Sequence, residues 1–318
     1  DFNNCNRDNE IRYNYFAGAT NTGYKDKAAQ YFANRNNPPT GIMTDMTNKT
    51  HGNKIHHNIG TGASNFIDSE QDFAQIYNNI TNQGHIGSAD SMTAHPTYHR
   101  CTYNNTIIQH YISELIGDDR TEPNLDLAWY GANNIISEFG YVDYSPPIGI
   151  AVMWHAYDCS YEYTWTNTLV DRNLIYKPGS STRHFGLPNS YNCKSTRWIT
   201  TSAFNTLRST NNYTTSTDGL FLGTSGANRY KINSSFSLGS GRTAGNAGIG
   251  GNHPYLSGVT IPSYLGAVDP NNSSWVDAVL GLANLQNLIA GGGSIPPYTP
   301  PVQQDTTPPA SPGGVNVN

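Results

Sequence analysis

Charged side chains are scarce in this sequence. Asp, Glu, Lys and Arg together supply 13% of the 318 residues, about half of the share typical of a soluble domain. Long-helix and coiled-coil proteins depend on Glu, Lys, Arg, Ala and Leu, so this composition excludes them. The net charge of −5 also argues against the basic surface that a nucleic-acid-binding protein presents. We therefore expect no nucleic-acid partner.

Long hydrophobic runs are absent as well. The sequence contains no stretch of about 18 consecutive apolar residues, so we expect no membrane span. Aromatic residues nevertheless make up 11% of the chain, and they can bury enough surface to stabilise a fold. The composition is typical of a β-rich, loop-rich protein with a polar surface, of the kind found outside cells.

Cysteine is rare, and its spacing excludes two common sites. No C-x-x-C pair occurs, which argues against a zinc ribbon or a thioredoxin-type motif. The four cysteines are Cys5, Cys101, Cys159 and Cys193. An even number fits two disulfides, in any of three pairings, and a secreted or cell-surface location. Four buried thiols are the alternative. Because Asp1 follows no charged or apolar leader, we expect that any signal peptide has been removed.

Short segments of one design recur along the first two thirds of the chain. Each has an aliphatic residue, a polar or aromatic pair, often an asparagine, and a second aliphatic residue. The segments are Asn9–Phe16, Asn53–Gly60, Phe73–Asn82, Asn104–Ile112, Gly131–Gly140 and Leu169–Tyr176. Second strand-like runs are Gly41–Met46, Asn65–Ser69, Leu125–Tyr130 and Ile148–His155. The interval is 21 residues between Ile55 and Ile76 and lengthens later, which indicates the coils of a solenoid with loops of variable length.

Stacking explains why such a pattern would be needed. A coil of two or three short strands cannot bury its inward side chains alone, and stacking places Ile on Ile along the interior. Asparagine at the turns can adopt a left-handed backbone. The alternation of G-I-x-x-x-x-x-N with N-x-I-x-x-N-x-I resembles the right-handed parallel β-helix repeat of pectate-lyase-like proteins, over about residues 1–215. The resemblance implies an all-β fold, a right-handed parallel β-helix solenoid. A β-sandwich is the structural alternative.

The composition changes after residue 215. We expect residues 216–295 to form a loop-rich C-terminal coil and capping segment. Within it, Ser274–Ala290 predicts a short capping helix that begins with Ser274 and Asp277 in capping-box spacing and ends at three glycines. Its apolar residues would cover the open end of the solenoid. Residues 296–318 predict a Pro-rich linker. This linker resembles the lead-in to fibronectin type III modules of secreted bacterial proteins, so further domains or a surface assembly are expected partners.

No strong catalytic motif is present, neither G-x-S-x-G nor H-E-x-x-H. The candidate catalytic residues are Arg183, His184, Lys194 and Arg197. A lyase acting on a uronic-acid polymer needs cations to neutralise the substrate carboxylate and a base to remove the adjacent proton. The strings around these residues faintly resemble the K-S and R-H-G motifs of chondroitinase B-like and alginate lyases. Their order is reversed here, and Phe185 replaces the glycine. Solvated surface charge is the alternative.

Two aromatic pairs are the candidate sugar-binding residues. They are Trp129 with Tyr130 and Trp154 with His155, at the ends of two second-strand runs. If these runs are successive turns of one sheet, both pairs lie on one face of the solenoid. Flat rings with polar tips suit the faces of sugars. The alternative is that one ring of each pair belongs to the core, because strand residues alternate between faces.

Two acidic patterns complete the candidates. The loop that carries Asp118, Asp119, Glu122 and Asp126 offers oxygen ligands for calcium, without the EF-hand spacing. Arg120 could instead neutralise it. The carboxylates of Asp45, Asp68 and Asp126 recur near one phase of the second-strand runs. Stacked coils are about 4.8 Å apart, near the ~5 Å separation of a retaining glycosidase. Turn-forming aspartates are the alternative.

These patterns predict an extracellular polysaccharide-binding protein. Whether it also degrades its polysaccharide, as a lyase or a glycosidase, stays open, and no cofactor is required apart from the calcium considered above. The alternative is a non-catalytic adhesin, fibre or appendage subunit that uses the solenoid as a rigid scaffold. The fold alone does not establish an activity.

Overall fold

Short strands dominate the structure, a computed structural model. It describes residues 2–3, 10–17, 22–27, 53–61, 65–69, 74–87, 100–109, 112–115, 129–137, 150–153, 169–178, 183–189, 192–254, 256 and 258–290. Most of the strands belong to three sheets, here called I, II and III. The helices are α1 (Thr201–Arg208) and α2 (Ser274–Ala290), with a 3-10 turn at Gly226–Arg229.

The strands are numbered in chain order. Sheet I contains β1 (Phe2–Asn3), β4 (Thr22–Lys27), β7 (Asn65–Ser69), β10 (His85–Gly87), β13 (Ile112–Leu115), β16 (Ile150–Met153), β19 (Phe185–Asn189) and β20 (Asn192–Ile199). Sheet II contains β2 (Glu10–Arg12), β5 (Lys54–His56), β8 (Gln75–Tyr77), β11 (Arg100–Tyr103), β14 (Trp129–Ala132) and β17 (Leu169–Asp171). Sheet III contains β3 (Tyr15–Ala17), β6 (Ile59–Thr61), β9 (Ile80–Asn82), β12 (Thr106–Ile108), β15 (Ile135–Ser137), β18 (Leu174–Tyr176) and β21 (Tyr213–Thr215). Two small hairpins follow, β22 (Ser237–Gly239) with β23 (Arg242–Thr243) and β24 (Gly251–Asn252) with β25 (Thr260–Ile261).

The chain visits the three sheets in a fixed order. From β2 to β19 it passes through sheet II, sheet III and sheet I in turn, and each strand from β2 to β16, as well as β18, pairs in parallel with the strand three places later. Sheets II and III are entirely parallel, whereas β20 runs antiparallel to β19 in sheet I. We call one passage through the three sheets a coil. The predicted all-β class is confirmed, and the arrangement is consistent with a solenoid.

The interior of the coils is filled by the middle residues of the strands. Because side chains alternate along a strand, Ile55 and Ile76 of sheet II and Ile107 and Ile136 of sheet III turn inward, where they are at most 1% exposed. Ile67 of sheet I packs against the same core. The first and third residues of the three-residue strands in sheets II and III therefore face outward, as do the residues aligned with them in the longer strands β11 and β14.

A two-residue corner joins each strand of sheet II to the next strand of sheet III. Its first residue is left-handed in every coil, with φ between 50° and 59°, at Tyr13, His57, Asn78, Asn104, Asn133 and Arg172. Its second residue is always asparagine: Asn14, Asn58, Asn79, Asn105, Asn134 and Asn173. The predicted left-handed asparagine thus occurs in three coils only. The asparagine shared by all coils has another role, which is to connect each coil to its neighbour through its side-chain amide.

The C-terminal part covers the stack differently from the sequence-based prediction. The end of the interior is closed by α1, whose Phe204 stacks on Phe185 with ring centroids 4.1 Å apart. The predicted helix Ser274–Ala290 is present as α2, but it lies against β3 and β6 on the flank of sheet III. Its Trp275 packs with Ile59 and Ile80, the outward first residues of β6 and β9. An aliphatic outer face attracts the helix because the open flank would otherwise leave these side chains in water.

The capping box predicted for α2 is not formed. The Ser274 hydroxyl donates to Asn272 Oδ1 at 3.2 Å, and the Asp277 carboxylate accepts from Lys231 Nζ at 2.7 Å. Neither described helix is long and apolar enough to cross a membrane.

The predicted disulfides find no support among the described side chains. Cys101 lies on β11 as a buried thiol. Cys5 and Cys159 lie outside the described residues, as does the side chain of Cys193. The oxidised state therefore stays a prediction for these three.

Candidate functional site

The outer side of sheet II is polar at its first three strands. Two rows of outward residues run across these strands in register, Glu10–Lys54–Gln75 and Arg12–His56–Tyr77. We call these six residues the β2–β8 face. Neighbouring residues within a row are one strand spacing apart, about 4.8 Å, so the face presents a polar or aromatic side chain at each coil along the direction in which the coils stack.

An aromatic column crosses the β2–β8 face and continues beyond it. The ring of His56 stacks on Tyr77 with centroids 4.6 Å apart, and Tyr77 stacks on Tyr103 with centroids 5.1 Å apart; the ring planes of both pairs are nearly parallel. Tyr103 meets Tyr130 edge-on at 6.2 Å, and His253 from the C-terminal segment covers Tyr130 at 4.6 Å. The ring faces are thus occupied by one another, so the column presents ring edges and polar tips to its surroundings.

Charged groups border the column at the first two coils. The side chain of Glu10 is 43% exposed, and Arg12 Nη1 lies 3.5 Å from its Oε1. The Arg12 guanidinium also lies 5.3 Å from the centre of the Tyr13 ring, and Tyr13 is 43% exposed. Lys54 stands opposite Glu10 across the strand pair. The carboxylate therefore has cations on two sides.

A chain of hydrogen bonds leads from Glu10 into the corner between β5 and β6. His56 Nε2 is 2.7 Å from Glu10 Oε1, and His56 Nδ1 is 2.6 Å from His57 Nδ1. Asn78 Nδ2 lies 3.4 Å from His57 Nε2. One assignment of protons satisfies every contact: His56 Nε2–H donates to Glu10, His57 Nδ1–H donates to His56 Nδ1, and Asn78 donates to His57 Nε2. Both histidines are neutral in this assignment.

Burial keeps the two histidines neutral. It lowers the pKa of His56 to about 3, helped by the nearby Arg12 and Lys54 cations. Burial also lowers the pKa of His57 to about 3, helped by His56 and Arg12, while Glu10 acts in the opposite direction. The 2.6 Å contact between the two Nδ1 atoms has room for a single proton, so the two rings cannot both be protonated while it persists. The β2–β8 face therefore offers two cations and hydrogen-bonding edges rather than charged imidazoles.

The two runs that contain the predicted sugar-binding pairs have their described strands in different sheets, since β14 lies in sheet II and β16 in sheet I. The expectation that these runs are successive turns of one sheet was therefore wrong. Tyr130 points outward but is fully buried beneath the C-terminal segment. Trp154 and His155 lie outside the described residues, as does the Trp129 side chain.

The predicted catalytic residues flank the last strands of sheet I. His184 is buried, and its Nδ1 accepts from the Thr201 backbone N–H at 3.1 Å and contacts Thr201 Oγ1 at 2.7 Å, at the start of α1. This nitrogen therefore has a structural partner. Arg183 is exposed. Lys194 and Arg197 lie on β20, with side chains outside the described part, so a catalytic group of these four stays a prediction.

The acidic candidates are mostly outside the described residues. This holds for Asp45 and for the predicted calcium ligands Asp118, Asp119, Glu122 and Asp126. Asp68 lies on β7 in register with Lys25 and Gly87. The described residues contain no group of three or more His, Cys, Asp or Glu side chains placed to hold a metal ion. Calcium stays a prediction.

Sequence reasoning missed the residues of the β2–β8 face. The signal was present in the triplets E-I-R, K-I-H and Q-I-Y, in which an inward isoleucine is flanked by two polar or aromatic residues. Outward positions on consecutive coils come together once the isoleucines are aligned. The doubled histidine, His56 with His57, marks the corner where an imidazole ring occupies the left-handed position.

Comparison with known proteins gives no further guide. No protein-family model, no curated protein and no solved structure matches the chain.

Proposed function

We propose that this chain is a secreted, polysaccharide-binding protein built as a right-handed parallel β-helix of the pectate-lyase-like kind, with the β2–β8 face as its ligand-binding surface. A right-handed path is the expected one, because parallel strands joined by a crossover connection are right-handed in about 98% of cases. Secretion and a glycan ligand are expectations from the sequence. The polar and aromatic groups of the β2–β8 face support the glycan ligand.

The in-register rows of the β2–β8 face carry the proposal. Glu10, Lys54 and Gln75 form one row, and Arg12, His56 and Tyr77 the other, on three consecutive coils. Polar and aromatic groups spaced at about 4.8 Å on successive coils fit a linear polymer that lies along the stacking direction. A small ligand would need convergent groups in a cavity instead.

The chemistry of the face favours hydrogen bonds and charge over ring stacking. The faces of His56 and Tyr77 are occupied within the column. The exposed groups are the Glu10 carboxylate, the Arg12 guanidinium and the Tyr13 ring. A carboxylate accepts hydrogen bonds from sugar hydroxyls, and a guanidinium donates to sugar hydroxyl and carboxylate oxygens; these charge-assisted hydrogen bonds are stronger than neutral ones. The Tyr13 ring adds one exposed aromatic surface beside them.

The test is a binding panel of neutral and uronic polysaccharides, read by affinity electrophoresis. We expect retention by at least one polymer and a clear loss of retention for Arg12→Ala. The matched control is Arg242→Ala, which removes an exposed arginine of β23 far along the chain. Equal retention by both variants would contradict the assignment of the face. New reducing ends or unsaturated products in the same incubations would show that the protein also cleaves its ligand.

A non-catalytic scaffold is the second candidate. The observation that favours it is the row of amide contacts that runs without interruption from Asn14 to Asn212, one asparagine per coil. Such a row resists bending and shear between coils, as a rigid spacer requires. Absence of retention by every polymer, in a protein with an intact β spectrum, would favour the scaffold over the binding function.

A further inference from the structure

The paired histidines lie where the coil stack meets α2. His57 occupies the corner between β5 and β6, and the ring of Trp275, in the first turn of α2, meets it edge-on at 5.0 Å. Trp275 and Val276 then pack on the outward residues Ile59 and Ile80 of sheet III. A movement of the His57 ring would therefore disturb the contact that holds the first turn of α2 against the coils.

The contact between the two imidazoles tolerates one proton and no more. With His56 Nε2–H donating to Glu10, His56 Nδ1 must accept the proton of His57 Nδ1. A single further proton is accommodated on His57 Nε2, because His57 Nδ1–H still donates to His56 Nδ1. When both rings are protonated, both Nδ1 atoms carry hydrogen, and two N–H groups face each other across 2.6 Å. One ring must then turn away. His56 is held by Glu10 and by its stack on Tyr77, so the ring that turns is His57.

We propose that the His56–His57 pair is an acid-sensitive latch, which holds Trp275 and the first turn of α2 against sheet III while the two rings share one proton between their Nδ1 atoms and releases them when both rings are protonated. Release would expose the outward aliphatic strip of Ile59, Ile80 and Ile108, which α2 now covers. The device depends on the geometry of the corner and not on the identity of any ligand.

Charged and titratable groups surround the latch on each packed element. From β2 come Glu10 and Arg12, with Tyr13 beside them, and from β5 comes Lys54. From β8 comes Tyr77, whose ring stacks on His56. On the C-terminal side, Tyr264 contacts Asn78 and Asp277 of α2 is paired with Lys231.

The balance of these groups sets the direction of the switch. Arg12 and Lys54 oppose a second positive charge at the pair, whereas Glu10 favours one. A released ring would regain the ordinary pKa of a solvated histidine. The ratio of released to latched molecules would then rise about tenfold for each pH unit and each histidine involved, below pH ~6.5.

Fluorine NMR of the protein labelled with fluorotryptophan tests the latch, with the Trp275 signal assigned from Trp275→Phe. We expect a second Trp275 signal to grow as the pH falls from 7.5 toward 4, while the far-UV spectrum keeps its β signature. In His57→Asn the second signal should be absent over the same range. This variant places at the corner the residue that Asn78, Asn104 and Asn133 place there in later coils, so the left-handed backbone is retained.

Two further variants keep the outcome decisive. His56→Tyr copies the stacked residue of the next two coils, Tyr77 and Tyr103, and should also abolish the second signal. His184→Asn removes a buried histidine at the opposite end of the stack and should leave the Trp275 transition unchanged. The proposal is overturned if Trp275 changes only together with global unfolding. It is equally overturned if the His57→Asn protein shows the same transition as the original.

Discussion

Asn79 accepts two hydrogen bonds from Asn58, the corresponding residue of the preceding coil. Its Oδ1 receives the Asn58 backbone N–H at 3.2 Å and the Asn58 Nδ2 at 3.0 Å. Its own Nδ2 donates to two backbone carbonyls, Ile55 O at 2.8 Å and Tyr77 O at 3.0 Å. One amide thus satisfies buried donors and acceptors of two coils, where no water could reach them.

The interior of this asparagine row is expected to be the most sensitive polar position of the fold. Asn105 is fully buried, and its Nδ2 donates to Ile76 O, Tyr103 O and Asn134 Oδ1. Asn105→Ala should cost about 3 kcal/mol or more of the free energy of unfolding, because several buried groups lose their partner. Asn14→Ala, at the exposed end of the row, should cost about 1 kcal/mol. Urea denaturation of both variants measures the difference, and equal losses would contradict the role of the row.

The sequence predicts the coil but not the roles of its two corner residues. Asparagine suits both a left-handed turn and a hydrogen-bonded row, so the abundance of asparagine in the sequence does not show which of the two roles a given residue has. Three corners distinguish the two roles. Tyr13, His57 and Arg172 take the left-handed position without being asparagine, and an asparagine follows each of them. Only the stacked geometry shows that the second position is the one that needs an amide.

The covering of the flank also lay beyond sequence reasoning. Ile59 and Ile80 lie in the same repeat as the inward isoleucines and were expected to stack on the interior, whereas they face outward beneath α2. Isoleucines of the same repeat can therefore be either inward or outward, because a strand of three residues has one inward position and two outward ones. The Gly- and Ser-rich stretch after residue 215 gave no sign that its few apolar residues, such as Leu220 and Phe236, pack on that flank.

Gly60 lies opposite an aromatic ring and has no space for a side chain. A Cβ atom at this position would overlap the ring of Phe66, lying 2.7 Å from its Cγ. Gly60→Ala should therefore lower the free energy of unfolding by about 1–3 kcal/mol. The loss in the double variant Gly60→Ala with Phe66→Leu should be smaller than the sum of the single losses, because the two positions share one space.

The control for this prediction is Gly281→Ala on α2. No atom lies within 4 Å of a Cβ at that position, and alanine favours a helix by up to about 1 kcal/mol over glycine. In thermal unfolding, the melting temperature of Gly281→Ala should equal or exceed that of the original protein, and the melting temperature of Gly60→Ala should be lower. A Gly60→Ala protein as stable as the original would show that the ring of Phe66 is placed elsewhere.

Helix α1 is expected to seal the interior through a single side chain. Phe204 is 1% exposed and stacks on Phe185, so Phe204→Ala should leave a cavity that costs about 3–5 kcal/mol. Leu207 belongs to the same helix but is 60% exposed, and Leu207→Ala should change stability by no more than about 0.5 kcal/mol. Denaturant midpoints of the two variants decide whether α1 is the end cap.

Acid should destabilise the fold through the neutral histidine pair. The pKa values of His56 and His57 are lowered from 6.5 to about 3, so the unfolded chain binds protons that the folded chain does not. The contribution of the pair is complete above pH ~6.5 and is lost as the pH falls toward 3, by about 1.4 kcal/mol for each pH unit and each histidine. His57→Asn should flatten the dependence of unfolding free energy on pH between 6 and 4. An unchanged slope would mean that these rings are not neutral in the folded protein.

The most direct test of the binding surface is oxidative footprinting with and without a saturating polysaccharide. Tyr13 borders the β2–β8 face and is 43% exposed, whereas Leu207 on α1 is 60% exposed and distant in the fold. The bound polymer should protect Tyr13 from oxidation and leave the oxidation of Leu207 unchanged. Oxidation of Tyr13 at the same rate in the bound and unbound protein would contradict the assignment of the β2–β8 face as the polysaccharide-binding surface.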